Sequence, residues 1–164
     1  MEKADFSKFG KVFQDKLTYL ILTERAFANQ IGEVLDINFL EFKYLQTIVR
    51  SIYDYKEKYE VYPSLKIMAS LIRNEVSDEI VKEQSKEYLI SVLSDSSIIE
   101  DCEYVKETSL DFCKKQKLKE AMLTSVKLLN RSSFDEISTV INEALKLGSD
   151  NDFGYDYKLD FEER

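Results

Sequence analysis

From Ile99 to about Arg131 the chain runs without a proline, a glycine or any other strong helix breaker. An uninterrupted stretch of that length reads as one helix of roughly thirty residues, far above the ~12 typical of globular domains. Such a helix must project or pack along another long element. Ser132 and Ser133 make the turn that follows, with Ser133 and Glu136 at capping-box spacing. A last helix then runs from Phe134 to Leu147 until Gly148 stops it. The second half of the chain is therefore expected to be a helical hairpin.

Upstream, apolar residues recur at helical spacing in shorter runs. Val12, Phe13, Leu17, Leu20 and Ile21 mark a helix from about Phe9 to Leu22 after a polar start, and Thr23 is placed to cap the next. That second helix carries Ala26, Phe27, Ile31, Val34 and Leu35, and Asp36 to Asn38 break it. A third helix from about Phe39 presents Phe42, Leu45, Ile48, Val49, Ile52 and Tyr53 on one stripe. It must end before Tyr62, which Pro63 pushes out of the helical region. Ser64 then caps a helix with Leu65, Met68, Leu71 and Ile72, and Ser77 opens one with Ile80, Val81, Tyr88, Leu89 and Val92, closed by a loop from Ser94 to Ser97. The expected architecture is all-α: a compact head over residues 1–96, a hairpin over 97–148 and an acidic tail over 149–164.

Composition agrees with helices, since one proline and four glycines leave few turns. Thirty-one acidic against twenty-three basic residues give a net charge of −8, the wrong sign for holding DNA through phosphate neutralisation. Lys114, Lys115, Lys117 and Lys119 spread around the long helix, as a solvated surface does, and make no phosphate track. Tyr53, Tyr55, Tyr59 and Tyr62 could stack bases, but no basic groove accompanies them, so core or interface is the better reading. Cys102 and Cys113 on one helix stand roughly 16 Å apart, too far for a disulfide, and read as reduced thiols. No stretch approaches the ~20 apolar residues of a membrane span, and no signal-like segment opens the chain. The expectation is a soluble, cytoplasmic protein.

The chain has no histidine, which removes His-based acid–base catalysis, catalytic triads and His-ligated zinc. It also lacks GxxxxGK[ST], and Gly148 with Gly154 forms no dinucleotide loop. No catalytic, cofactor or metal residue is assigned.

Two features carry functional content. On the long helix Leu118, Met122, Val126 and Leu129 form one apolar stripe, while Leu110, Ala121 and Leu128 form a second about a third of a turn away. On the last helix Ile137, Val140, Ile141, Ala144, Leu145 and Leu147 cover nearly half the circumference. A single hairpin contact does not bury all of this. Either the head covers the excess, or the chain self-associates through Leu118, Met122, Val126, Leu129, Ile137, Ile141 and Leu145. The tail from Ser149 is the second feature, with six acids against two bases, and Phe153, Tyr155, Tyr157 and Phe161 spaced through it. Too short for a core of its own, it is either a disordered end or, in a longer chain, a segment that docks on another surface.

Three stretches resemble a known family. The helix opening Phe39-Leu40-Glu41-Phe42 and running through Ile48 to Tyr59, followed by Val61-Tyr62-Pro63-Ser64 and a helix with Leu71, resembles the N-terminal domain of DnaB-type hexameric replicative DNA helicases, the T4-like bacteriophage branch especially. So does Tyr104-Val105-Lys106-Glu107-Thr108, at the opening of the long helix. Phe153 to Arg164 is similar to the Gly-His-Asp-aromatic, acidic, Glu-Arg linker that precedes the RecA-type motor in that branch, with Tyr155 where His is common. The resemblance implies a collar that serves ring assembly and docks primase or a helicase loader, without catalysis of its own. ATP, magnesium, single-stranded DNA and 5'-3' unwinding would belong to a motor beyond Arg164, and Phe153, Tyr155, Tyr157 and Phe161 would dock the linker on a neighbouring subunit's motor. The alternative is a stand-alone phage or satellite adaptor that binds, loads or blocks another replicative helicase through the same hairpin surface.

Overall fold

A computed structural model describes residues 4–94, 96–130 and 134–147. Among them are seven α-helices, three short 3-10 turns and no strand. The helices are α1 (Gly10–Thr23), α2 (Arg25–Gly32), α3 (Lys43–Tyr59), α4 (Leu65–Glu75), α5 (Glu79–Ser94), α6 (Cys102–Leu129) and α7 (Phe134–Lys146). The chain divides into two compact units, Met1–Ala28 with Asp36–Glu107 and Asn29–Leu35 with Thr108–Arg164. The division falls inside α6.

The first unit is organised around α3, which packs against α1, α4 and α5, while α4 also packs on α5. Leu17, Leu20 and Ile21 of α1, Leu45, Ile48, Val49 and Ile52 of α3, and Met68 and Ile72 of α4 are buried in its core. Local chemistry sets the ends. Ser64 caps α4 by accepting the Ile67 N–H at 3.2 Å. Glu60 ends α3 in the left-handed region at φ 64°, its N–H returned to the Lys56 carbonyl at 2.8 Å.

Several elements depart from the sequence expectation, each for a local reason. The start is not simply polar, because Asp5 caps a 3-10 turn over Phe6–Phe9 that buries Phe6 edge-on against Phe39, 5.7 Å between ring centroids. Gly10, at φ 88°, makes the passage from this turn into α1, a conformation that costs glycine little. Val12 and Ile80 are 67% and 72% exposed, since each lies about a third of a turn from the buried stripe of its helix. Thr23 caps nothing; it closes α1, donating its hydroxyl to the Tyr19 carbonyl at 2.9 Å. The third helix begins at Lys43 rather than Phe39, because Asp36 caps a separate 3-10 turn over Ile37–Phe39 and Phe42 is extended. Asp78, not Ser77, caps α5, accepting the N–H groups of Ile80 and Val81 at 2.9 and 3.2 Å. The long helix has 28 residues and starts at Cys102, after Asp101 in the left-handed region and a 3-10 turn over Ser96–Ile99. The expected Ser132–Ser133 turn, the Gly148 stop and the tail lie outside the described residues.

Polar groups tie distant parts of the first unit together. The buried Gln14 side chain accepts the Glu41 N–H at 2.8 Å and donates to the Glu41 carboxylate at 2.9 Å. Lys16, also buried, donates to the Glu100 carbonyl at 2.8 Å. Lys106 pairs with Glu24 at 2.6 Å, a contact that raises the lysine's pKa above its ordinary value. Ser85 is the exception among the described residues, its hydroxyl fully buried without a partner. An unpaired buried hydroxyl carries its desolvation cost without return. Ser85→Ala is therefore expected to raise unfolding free energy by about 1 kcal/mol, read from urea denaturation midpoints; a destabilised variant would show that the hydroxyl is paired.

Candidate functional site

The second unit carries the hairpin, with four residues between the end of α6 and the start of α7. So short a connection makes the two helices antiparallel neighbours. Lys114, Lys115 and Leu118 of α6 line one small cleft with Ala144 and Leu145 of α7 and Leu147 just after it, which places the middle of α6 beside the C-terminal end of α7.

Burial separates the two apolar stripes of α6. Ala121 and Leu128 are buried and Leu110 is half-buried, so the second stripe faces inward. Met122, Val126 and Leu129 face solvent, 58%, 60% and 55% exposed, while Leu118 is half-buried. On α7, Ala144 is buried and Ile137, Val140 and Ile141 are half-buried, as is Leu147 just after it, whereas Phe134 and Leu145 are exposed.

These exposed residues lie on one side. At roughly 100° per residue, Leu118, Met122, Val126 and Leu129 fall within about 80° of arc, turned in the N-to-C sense from the buried Ala121–Leu128 line. Phe134, Ile141 and Leu145 are turned in the same sense from Ala144. In antiparallel helices equal turns lead to the same face, and the cleft shared by Leu118 and Leu145 agrees. The hairpin thus presents a continuous apolar face about three turns long. Phe134 belongs to it although its sequence position suggested only the start of a helix. Ile137 and Ile141 sit lower, between the face and the helix–helix contact.

The first unit holds a polar cleft, lined among others by Lys11, Asp15, Tyr44, Glu87 and Tyr88. Asp15 organises it, accepting from Lys11 Nζ at 2.8 Å and from the Tyr44 hydroxyl at 3.0 Å, while its backbone carbonyl accepts the Tyr88 hydroxyl at 2.6 Å. Burial raises the pKa of Tyr44 and pushes that of Tyr88 well above the usual phenol range, and the hydrogen bond that Lys11 donates to Asp15 raises that of Lys11. All three groups hold their protons more firmly than usual, the opposite of what a general base or nucleophile near neutral pH needs. The cluster joins α1 to α3 and α5.

The remaining candidates are quickly placed. Lys115 pairs with Asp111 and Lys117 with Glu120 along α6, as on a solvated helix surface. Tyr53 donates to the Ala28 carbonyl at 2.8 Å and packs edge-on to Tyr62, while Arg25 and Lys56 each lie 5.3 Å from the Tyr62 ring centre. Tyr53 and Tyr62 therefore belong to the packing around α3. Cys102 and Cys113 are free thiols. Among the described residues no group of three or more acidic or cysteine side chains is arranged to hold a metal ion, and no helix is long and apolar enough to cross a membrane. Phe153, Tyr155, Tyr157 and Phe161 lie outside the described residues. Compared with protein-family models and with curated proteins, the chain matches none.

Proposed function

We propose that this chain is a non-catalytic assembly module of the kind that forms the collar of DnaB-type replicative helicases, joining copies of itself through the hairpin and offering its head to a primase or loader. The observation that carries the reading is the solvent-facing line of Met122, Val126, Leu129 and Phe134 on a hairpin whose other apolar stripe is already buried. Contiguous apolar surface of this kind marks an interaction site. A two-fold interface is its simplest use, because one face then serves both partners and repeated contacts can close a ring. The net charge of −8 also favours protein over phosphate backbone as the partner. The resemblance of the Phe39–Leu71 and Tyr104–Thr108 segments to helicase collars supplies the cellular setting.

Sedimentation of the purified chain over a concentration series tests the reading. Dimers or higher even-numbered assemblies that persist at high salt are expected, since an apolar contact is little screened. A monomer at every concentration would overturn self-assembly and favour the adaptor alternative. Salt-dependent binding of single-stranded DNA by this chain would overturn the non-nucleic-acid reading.

A further inference from the structure

The polar cleft uses one side of α5; the other side, two positions on, lines a larger and apolar groove shared with α4. The groove encloses about 530 Å³, within the ~300–1,000 Å³ range of ligand-holding pockets. On α5 it is lined by Lys86, Leu89, Ile90 and Leu93, spaced three, four and seven positions from the first. On α4 Lys66, Ala69 and Arg73 repeat the pattern. Each wall is thus one helical stripe about two turns long. Ile90 and Leu93 are 65% and 70% exposed.

The charge of the groove opposes that of the chain. Three cations line it and no carboxylate does, although acids outnumber bases by eight over the whole sequence. The acids of the two helices, Glu75, Glu79, Glu83 and Glu87, all lie outside the lining. Among the described residues no ion pair engages Lys66, Arg73 or Lys86. The groove therefore suits an apolar ligand that brings negative charge.

Its geometry narrows the class. The lining side chains offer apolar contact and cationic donors but no acceptor, so an extended peptide would lay unpaired N–H groups on the floor. A helix pairs its backbone internally and needs only an apolar stripe in such a groove. Lys66 and Arg73 stand about 10.5 Å apart along one wall, with Lys86 on the other, a spread that one anionic head group does not span. We infer that the α4–α5 groove is the docking site for an acidic amphipathic helix of a partner protein. Its apolar stripe lies on Ala69, Leu89, Ile90 and Leu93. Two carboxylates about two turns apart on one flank meet Lys66 and Arg73, and one on the other flank meets Lys86. The inference rests on the groove and its charge and does not depend on the collar reading.

Two synthetic helical peptides test it, alike in a stripe of leucines and differing only in flanks of glutamate or of lysine. Added to the full chain, the glutamate peptide is expected to shift the Ala69, Leu89, Ile90 and Leu93 methyl resonances and to bind at least about tenfold more tightly than the lysine peptide. In Lys66→Glu with Lys86→Glu the preference should invert, an outcome that loss of folding cannot produce. Equal binding of both peptides by the native chain would overturn the inference, as would no methyl shift at about 1 mM glutamate peptide. Shifts confined to the Met122 and Val126 methyls would also overturn it. Sodium dodecanoate moving the groove methyls where the glutamate peptide does not would make the groove a small-molecule site instead. Loss of self-association in the charge-reversed variant would assign it to a second copy of the chain and overturn the partner helix.

Discussion

Chain carrying Val126→Asp with Leu129→Asp is expected to sediment as a folded monomer at concentrations where the native chain associates. Both side chains are more than half exposed, so the isolated fold loses little beyond the lower helix propensity of aspartate. In an interface the cost is of another order, because each carboxylate would be buried without a partner. Central interface positions typically cost ~2–4 kcal/mol when disrupted, so the pair should weaken association at least about a hundredfold. Helicity by circular dichroism should stay at the native level. An unchanged mass would remove this face from the interface. Ile141→Asp is a poorer probe, since Ile141 is half-buried and its loss strikes the hairpin's own packing.

Gln14→Leu is expected to destabilise the first unit by about 3 kcal/mol. Leucine fills a similar volume, so the effect comes from hydrogen bonds rather than from a cavity. The Gln14 carbonyl oxygen accepts the Glu41 N–H, and its amide donates to the Glu41 carboxylate and, at 3.3 Å, to the Gly10 carbonyl. Removing the amide leaves the backbone N–H without its acceptor, and a partly buried group pays for that. Urea denaturation measures the loss. A change below about 1 kcal/mol would mean that the Asp36–Phe42 stretch relaxes to expose Glu41 to water.

What could be read from the chain followed how local its causes were. The break between α3 and α4 was legible because Pro63 and Ser64 act on their immediate neighbours. The start of α5 was read one residue early because Ser77 and Asp78 are both competent caps, and only geometry chooses between them. Gln14 and Thr18 occupy the buried face of α1, where periodicity expects apolar residues; the partner that makes Gln14 tolerable is 27 positions away. Phe6 was missed because a lone aromatic in a polar run has no period. Both stripes of α6 could be recognised in the sequence. Which of them turned inward could not, because burial on α6 changes line along its length. Val105, Ser109, Phe112 and Cys113 are buried in its first part and Ala121 and Leu128 in its second, two lines separated by about a third of a turn. The exposure of Ile90 and Leu93 on α5 was hidden because both adjoin its buried residues and look, in a linear reading, like part of the same stripe.

The contacts of α1 have a consequence for how the chain is made. Gln14 is held by Glu41, the Asp15 carbonyl by Tyr88, and Lys16 by Glu100, partners 27, 73 and 84 positions downstream. Synthesis at about 5–20 residues per second delivers α1 several seconds before the last of them. Until Glu100 has left the ribosome, Lys16 lacks its carbonyl. α1 is thus seated in two stages, its apolar face when α3 arrives to cover Leu17, Leu20 and Ile21 and its polar ties only when the stretch up to Glu100 has been made.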